Sequence, residues 1–94
     1  MKDVVILSGV RTAIGEYGGS LKSNAPTDLA AKVVHEALLR AQIDPNEVDH
    51  LVFGNVIHGE ARDMYLARVA CINGGLPHHT AALTVNRLCG SGLQ

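Results

Sequence analysis

The chain has 94 residues, 47% of them hydrophobic and 18% charged, with eight Lys and Arg against nine Asp and Glu and a formal net charge of −1. This composition is that of one globular domain at most and excludes a disordered or strongly acidic polypeptide. There is no basic stripe, and the only aromatic residues are Tyr17, Phe53 and Tyr65, which argues against a nucleic-acid surface.

Met1-Lys2-Asp3 leads into Val4-Val5-Ile6-Leu7, an apolar run too short for the core of a signal peptide and interrupted at its basic start by Asp3. The run ends at Ser8-Gly9 and is predicted to be a buried parallel strand, apolar on both faces. Arg11 to Asn24, with Gly15, Gly18 and Gly19, reads as a long loop of functional or interfacial use. A helix is expected from Pro26 or Thr27, with Thr27 as a cap and Asp28 at its positive end. Leu29, Val33, Ala37 and Ala41 repeat along it beside Ala30, Val34 and Leu38, while Lys32, His35, Glu36 and Arg40 form the polar face. Asp44-Pro45 stops it.

Leu51 to Gly54 is a second expected strand, Asn55 to Glu60 a loop, and Arg62 to Asn73 a second helix ended by Gly74-Gly75. Leu66, Val69, Ala70 and Asn73 share one face of that helix. After the turn at Pro77-His78-His79, Ala81 to Val85 is a third strand that leads to Cys89 and the start of a further helix. The order β-α-β-α-β predicts an α/β fold with a mostly parallel sheet. No apolar run approaches the roughly 18 residues of a membrane span, and two cysteines, Cys71 and Cys89, fit a reducing compartment, so the expected location is cytoplasmic. The chain stops five residues into the expected last helix, which reads as part of a longer protein.

Cys89 is the candidate nucleophile. A thiol with a pKa of about 8.5 acts only as its thiolate, and the unpaired N–H groups of a helix start favour that form. Gly90 and Gly92 leave room for substrate beside the sulfur, and N–H groups of the turn can face a developing oxyanion. The cysteine also lies at the carboxyl end of a strand, where ligands of open α/β sheets collect. Read from Cys and Gly alone, a buried structural cysteine in a glycine-rich turn is the competing account.

Val85-Asn86-Arg87-Leu88-Cys89-Gly90-Ser91-Gly92-Leu93-Gln94 resembles the segment around the nucleophilic cysteine of thiolases. Val4 to Leu21 resembles the thiolase N-terminus, and Val52-Phe53-Gly54-Asn55-Val56 is similar to the second strand and its exit in that family. The blocks fall in the family's order and span nearly the whole chain. The resemblance implies that residues 1–94 are the N-terminal part of a thiolase-like layered fold, incomplete in this chain. It implies an acyl-CoA C-acyltransferase that forms or cleaves 3-ketoacyl-CoA through an acyl group on Cys89. It further implies acyl-CoA and coenzyme A as substrates, no separate cofactor, no nucleic-acid or membrane partner, and a homodimer or homotetramer. The family's activating histidine, second catalytic cysteine, Asn-His pair and CoA-binding loops belong to motifs that do not occur here, and Cys71 does not match the second cysteine. Arg62 to Arg68 is similar to the version in ketothiolases that accept longer or odd-chain acyl groups.

The remaining residues have plainer readings. Cys71 is expected in the core, His35 on a solvated face, and His58 in a structural or interfacial place. His78-His79 with the cysteines match no zinc-ligand spacing, Arg11 and the glycines after it lack the phosphate-loop pattern, and Asn86 and Ser91 are expected to support the local backbone. Two other classes compete: a ketoacyl synthase, which shares a nucleophilic cysteine, and a non-catalytic thiol-bearing binding or redox module.

Overall fold

The computed structural model describes residues 1–94 and contains two helices and two strands in the order α1 (Pro26–Ala41), β1 (His50–Gly54), α2 (Leu66–Asn73) and β2 (Ala81–Val85). The strands pair in parallel, with His50 opposite Ala81 and Gly54 opposite Val85. Parallel pairing needs a crossover, and residues 55–80 supply it with α2 as its helix. The buried faces of both helices and one face of the sheet meet in a core of Ala30, Val34, Leu66, Ala70, Cys71 and Leu76, against which Leu51, Phe53 and Ala82 pack. Exposure alternates along β1, so Leu51 and Phe53 face this core while Val52 belongs to the open face with Leu83.

α1 forms where the apolar period predicted it. It starts at Pro26 as expected, but its cap differs: Ala25 is the capping residue, and Thr27 is wholly buried with its hydroxyl unpartnered. Thr27 lies one residue inside the helix, so its side chain is carried into the core and cannot cap. Glu36 and Arg40 pair at 2.7 Å on the exposed face, worth about 0.2–0.5 kcal/mol. α1 ends at Gln42, which adopts a left-handed φ of 55° and donates its N–H to Leu38 and Leu39 carbonyls. Asp44-Pro45 then opens a separate 3-10 turn, Pro45–Glu47, with Asp44 Oδ1 accepting the Asn46 N–H at 2.9 Å. α2 packs closely on α1 because Gly74 caps it; a Cβ there would lie 2.7 Å from Val34 Cγ1.

Two expectations need correction. Val4 to Leu7 forms no strand, because no neighbour in the sheet offers it a ladder: β1 pairs only with β2. The segment keeps a strand's alternation, Val4 and Ile6 being over 90% exposed and Val5 and Leu7 at 70% and 63%. Val5, Leu7 and Ser8 border an apolar cleft with Ala37 and Leu51, and Ser8 Oγ donates to the Ala37 carbonyl at 2.9 Å. The second correction concerns helix type. The start of the helix expected from Arg62 lies in a 3-10 turn, Ala61–Tyr65, and the helix expected to start at Cys89 is also 3-10, Leu88–Leu93. Leu88–Leu93 holds two glycines, Gly90 and Gly92, which are poor α-helix formers.

Candidate active site

The strand β2 delivers Val85 to the carboxyl edge of the sheet, and four residues later Cys89 stands exposed on the 3-10 turn. The turn is fixed by its own side chains. Asn86 Oδ1 accepts the Leu88 N–H at 3.0 Å. Ser91, buried, accepts the Arg87 N–H on its Oγ at 2.8 Å and donates the same hydroxyl to the Leu88 carbonyl at 2.8 Å. Leu88 is thereby held at φ +50°, a left-handed conformation that costs a non-glycine residue about 1–2 kcal/mol. Asn86 and Ser91 thus support the backbone as expected, and the strain they hold lies directly before Cys89.

These bonds also settle which N–H groups are occupied. Those of Arg87, Leu88 and Gly90 go to Ser91 Oγ, Asn86 Oδ1 and the Arg87 carbonyl, and none of these bonds claims the Cys89 N–H. The Arg87 guanidinium donates to the Gly90 carbonyl at 3.2 Å, which lays a cation across the turn. A Cβ at Gly92 would meet nothing within 4 Å, and one at Gly90 would meet only that guanidinium. The space beside Cys89 is therefore open. The turn that carries Cys89 is 3-10 where an α-helix start was expected.

A second loop reaches the same edge. Asn55, just past β1, donates its N–H to the Val85 carbonyl at 2.9 Å, so both strands exit side by side. Asn55 Nδ2 lies 3.1 Å from His58 Nδ1 and donates to the Asp63 carbonyl at 2.8 Å. Asp63, 1% exposed, accepts the N–H groups of Gly59 and Glu60 on Oδ2 at 2.8 and 3.1 Å. His58 is exposed on this loop.

The other candidates lie elsewhere. Cys71 is fully buried in the core, with Sγ 3.9 Å from the Thr80 carbonyl. His35, His78 and His79 are exposed, and no cluster of three or more His, Cys, Asp or Glu side chains is placed to hold a metal ion. Sequence reasoning passed over Arg87, Gly54 and Asp63. The Glu60-Ala61-Arg62-Asp63 spacing, that of an N3 carboxylate returning to a cap N–H, was the available signal for Asp63. Nothing in the sequence marks Gly54, whose role arises only from a residue far along the chain.

Residues 4–94 match the family described as Thiolase, N-terminal domain. The chain is 64% identical over 93 residues to the beta-ketothiolase BktB of Cupriavidus necator, an alignment covering 99% of this chain and 24% of that protein. It is 43% identical over 94 residues to the bovine mitochondrial 3-ketoacyl-CoA thiolase, covering 100% of this chain and 24% of the relative. Among solved structures, the Bacillus anthracis acetyl-CoA acetyltransferase superposes with a TM-score of 0.88 at 38% identity, covering 96% of this chain and 23% of that one. The human mitochondrial 3-ketoacyl-CoA thiolase in complex with CoA superposes with a TM-score of 0.81 at 44% identity, covering 85% and 20%. The chain spans about a quarter of the length of the relatives it matches.

Proposed function

The chain belongs to the thiolase family, and we propose that the protein it represents is an acyl-CoA C-acyltransferase whose nucleophile is Cys89. The observation that carries this reading is one exposed cysteine on a strained, glycine-rich turn at the carboxyl edge of a parallel pair of strands, inside the residues matched to the family.

In the proposed reaction, Cys89 Sγ attacks the carbonyl carbon of an acyl-CoA thioester. The bond from that carbon to the CoA sulfur breaks, CoA leaves and is protonated to its thiol, and the acyl group remains as a thioester on Cys89. In the condensing direction, a second acyl-CoA loses a proton from its α-carbon, the carbanion attacks the acyl carbon, and the cysteine thiolate is released with 3-ketoacyl-CoA as product. Thiolysis is the same sequence reversed. Covalent capture divides one difficult carbon–carbon step into two easier ones. Each step places negative charge on a carbonyl oxygen, and the unclaimed Cys89 N–H is a suitable donor to it. The open space over Gly90 and Gly92 suits the approach of a pantetheine arm. The groups that move protons belong to family motifs outside these residues.

Coenzyme A thioesters are the substrates in this reading, and the chemistry calls for no further cofactor. The proposed assembly is a homodimer or homotetramer. No helix is long and apolar enough to cross a membrane, and the two unpaired cysteines suit a reducing compartment, for which the cytoplasm is proposed.

The test is thiolysis. The complete protein is mixed with acetoacetyl-CoA and CoA and the substrate absorbance is followed. Turnover that disappears in Cys89→Ala supports the assignment; no turnover, or turnover indifferent to that substitution, rejects it.

A further inference from the structure

We propose that Asp63 is a positioning residue for acyl transfer at Cys89, acting through the Asn55–Glu60 loop; the inference rests on the thiolase reading above. Asp63 closes the capping box of the Ala61–Tyr65 turn, but its burial has a cost: it is 1% exposed and its Oδ1 is buried without a partner. The same side chain and its carbonyl hold one loop at both ends. Its carbonyl takes the Asn55 side chain at 2.8 Å, and its Oδ2 takes the backbone of Gly59 and Glu60 at 2.8 and 3.1 Å.

That loop leads to the nucleophile by two short routes. Asn55 donates its N–H to the carbonyl of Val85, the last residue of β2 before the Cys89 turn. Val56 borders a crevice together with Ser91 and Gly92. Ser91 in turn fixes Arg87 and Leu88 on the approach to Cys89. A loop free to shift would release one wall of that crevice, and with it the direction of the Cys89 sulfur and N–H. The core of Ala30, Val34, Leu66, Ala70, Cys71 and Leu76 includes no residue of this loop. Loss of the Asp63 bonds should therefore reach the turn before it reaches the fold.

The experiment uses the full-length protein with Asp63→Ala, Asp63→Asn and Asn55→Ala. Thiolysis of acetoacetyl-CoA is measured well below the lowest melting temperature and expressed per Cys89 thiol titrated with iodoacetamide. Asp63→Ala is expected to lower kcat on the order of 10- to 100-fold, as small misplacements of reacting groups do, with KM little changed. Asp63→Asn keeps a carbonyl oxygen for Gly59 and Glu60 and is expected to recover most of the rate. Should Asp63→Ala fail to fold, Asn55→Ala, which cuts the bond to the Asp63 carbonyl, is expected to show the same loss of kcat. Wild-type kcat per thiol in the folded Asp63→Ala or Asn55→Ala variant, with only the melting temperature reduced, would mean a structural role and overturn the proposal, as would an Asp63→Asn variant as impaired as Asp63→Ala. A wild-type protein without turnover rejects the thiolase reading itself, and the positioning role goes with it.

Discussion

Gly54 and Ser91 are in contact so close that a Cβ built on Gly54 would lie 2.7 Å from the Ser91 Cβ and 3.1 Å from the Ser91 carbonyl carbon. The end of β1 is thus the seat on which the Cys89 turn rests, and the seat has room for a hydrogen only. Gly54→Ala should push the turn off the sheet. We expect a destabilisation of about 1–3 kcal/mol, the usual penalty for overpacking, and a fall in thiolysis per Cys89 thiol. Urea unfolding and the acetoacetyl-CoA assay on the full-length protein measure the two. A variant as stable and active as wild type would show that the contact is not used.

Ser91 is the second element of this seat. Its hydroxyl accepts from Arg87 and donates to Leu88, so one side chain closes the turn across Cys89. Ser91→Ala removes both hydrogen bonds, at about 0.5–1.5 kcal/mol each, because water can reach the backbone of the exposed Arg87 and Leu88. Part of this is returned if Leu88 relaxes from its left-handed φ. The prediction is a small loss of global stability with a larger loss of kcat, while Cys89 stays open to alkylation. Equal activity per thiol in Ser91→Ala and wild type would contradict it.

The helices and β1 and β2 were legible because local pattern decides them. α1 shows an apolar stripe with a proline at its start, and each strand is a short apolar run between turn residues. Val4 to Leu7 has the same composition as a strand but no ladder partner here, and pairing is a non-local property that composition cannot report. The 3-10 geometry of Ala61–Tyr65 and Leu88–Leu93 was missed because apolar periodicity barely separates three from 3.6 residues per turn. At the site, Cys89 and its glycines were visible as a motif. Gly54 and Asp63 were not, because their meaning lies in which distant backbone they approach.

The two cysteines should differ sharply as reagents. Cys89 is exposed and Cys71 is fully buried among Ala30, Val34 and Ala70. Iodoacetamide under native conditions should add one group to Cys89 in this region of the full-length protein, and Cys71 should react only after denaturation. Peptide mass mapping distinguishes the sites. Cys71→Ala should retain activity while losing stability from the small cavity left behind. Labelling of Cys71 as fast as Cys89 would mean that the α1–α2 packing opens readily.

On its own, the 94-residue chain should self-associate. Val4, Val5, Ile6 and Leu7 are all more than 60% exposed, and Val52 and Leu83 lie open on the uncovered face of the sheet. Neither β1 nor β2 has a partner on its outer side, so each presents unpaired N–H and C=O groups beside apolar side chains. Both features favour pairing between copies, and the core of small residues offers little stability to oppose it. We expect the isolated chain to sediment as a mixture of oligomers and to bind hydrophobic dyes. Val4→Lys with Ile6→Lys should reduce that association, since charge on an exposed extended segment opposes intermolecular pairing. A monodisperse monomer that melts cooperatively would show that Val4 to Leu7 finds cover within the chain, and that the open sheet face is stable in water.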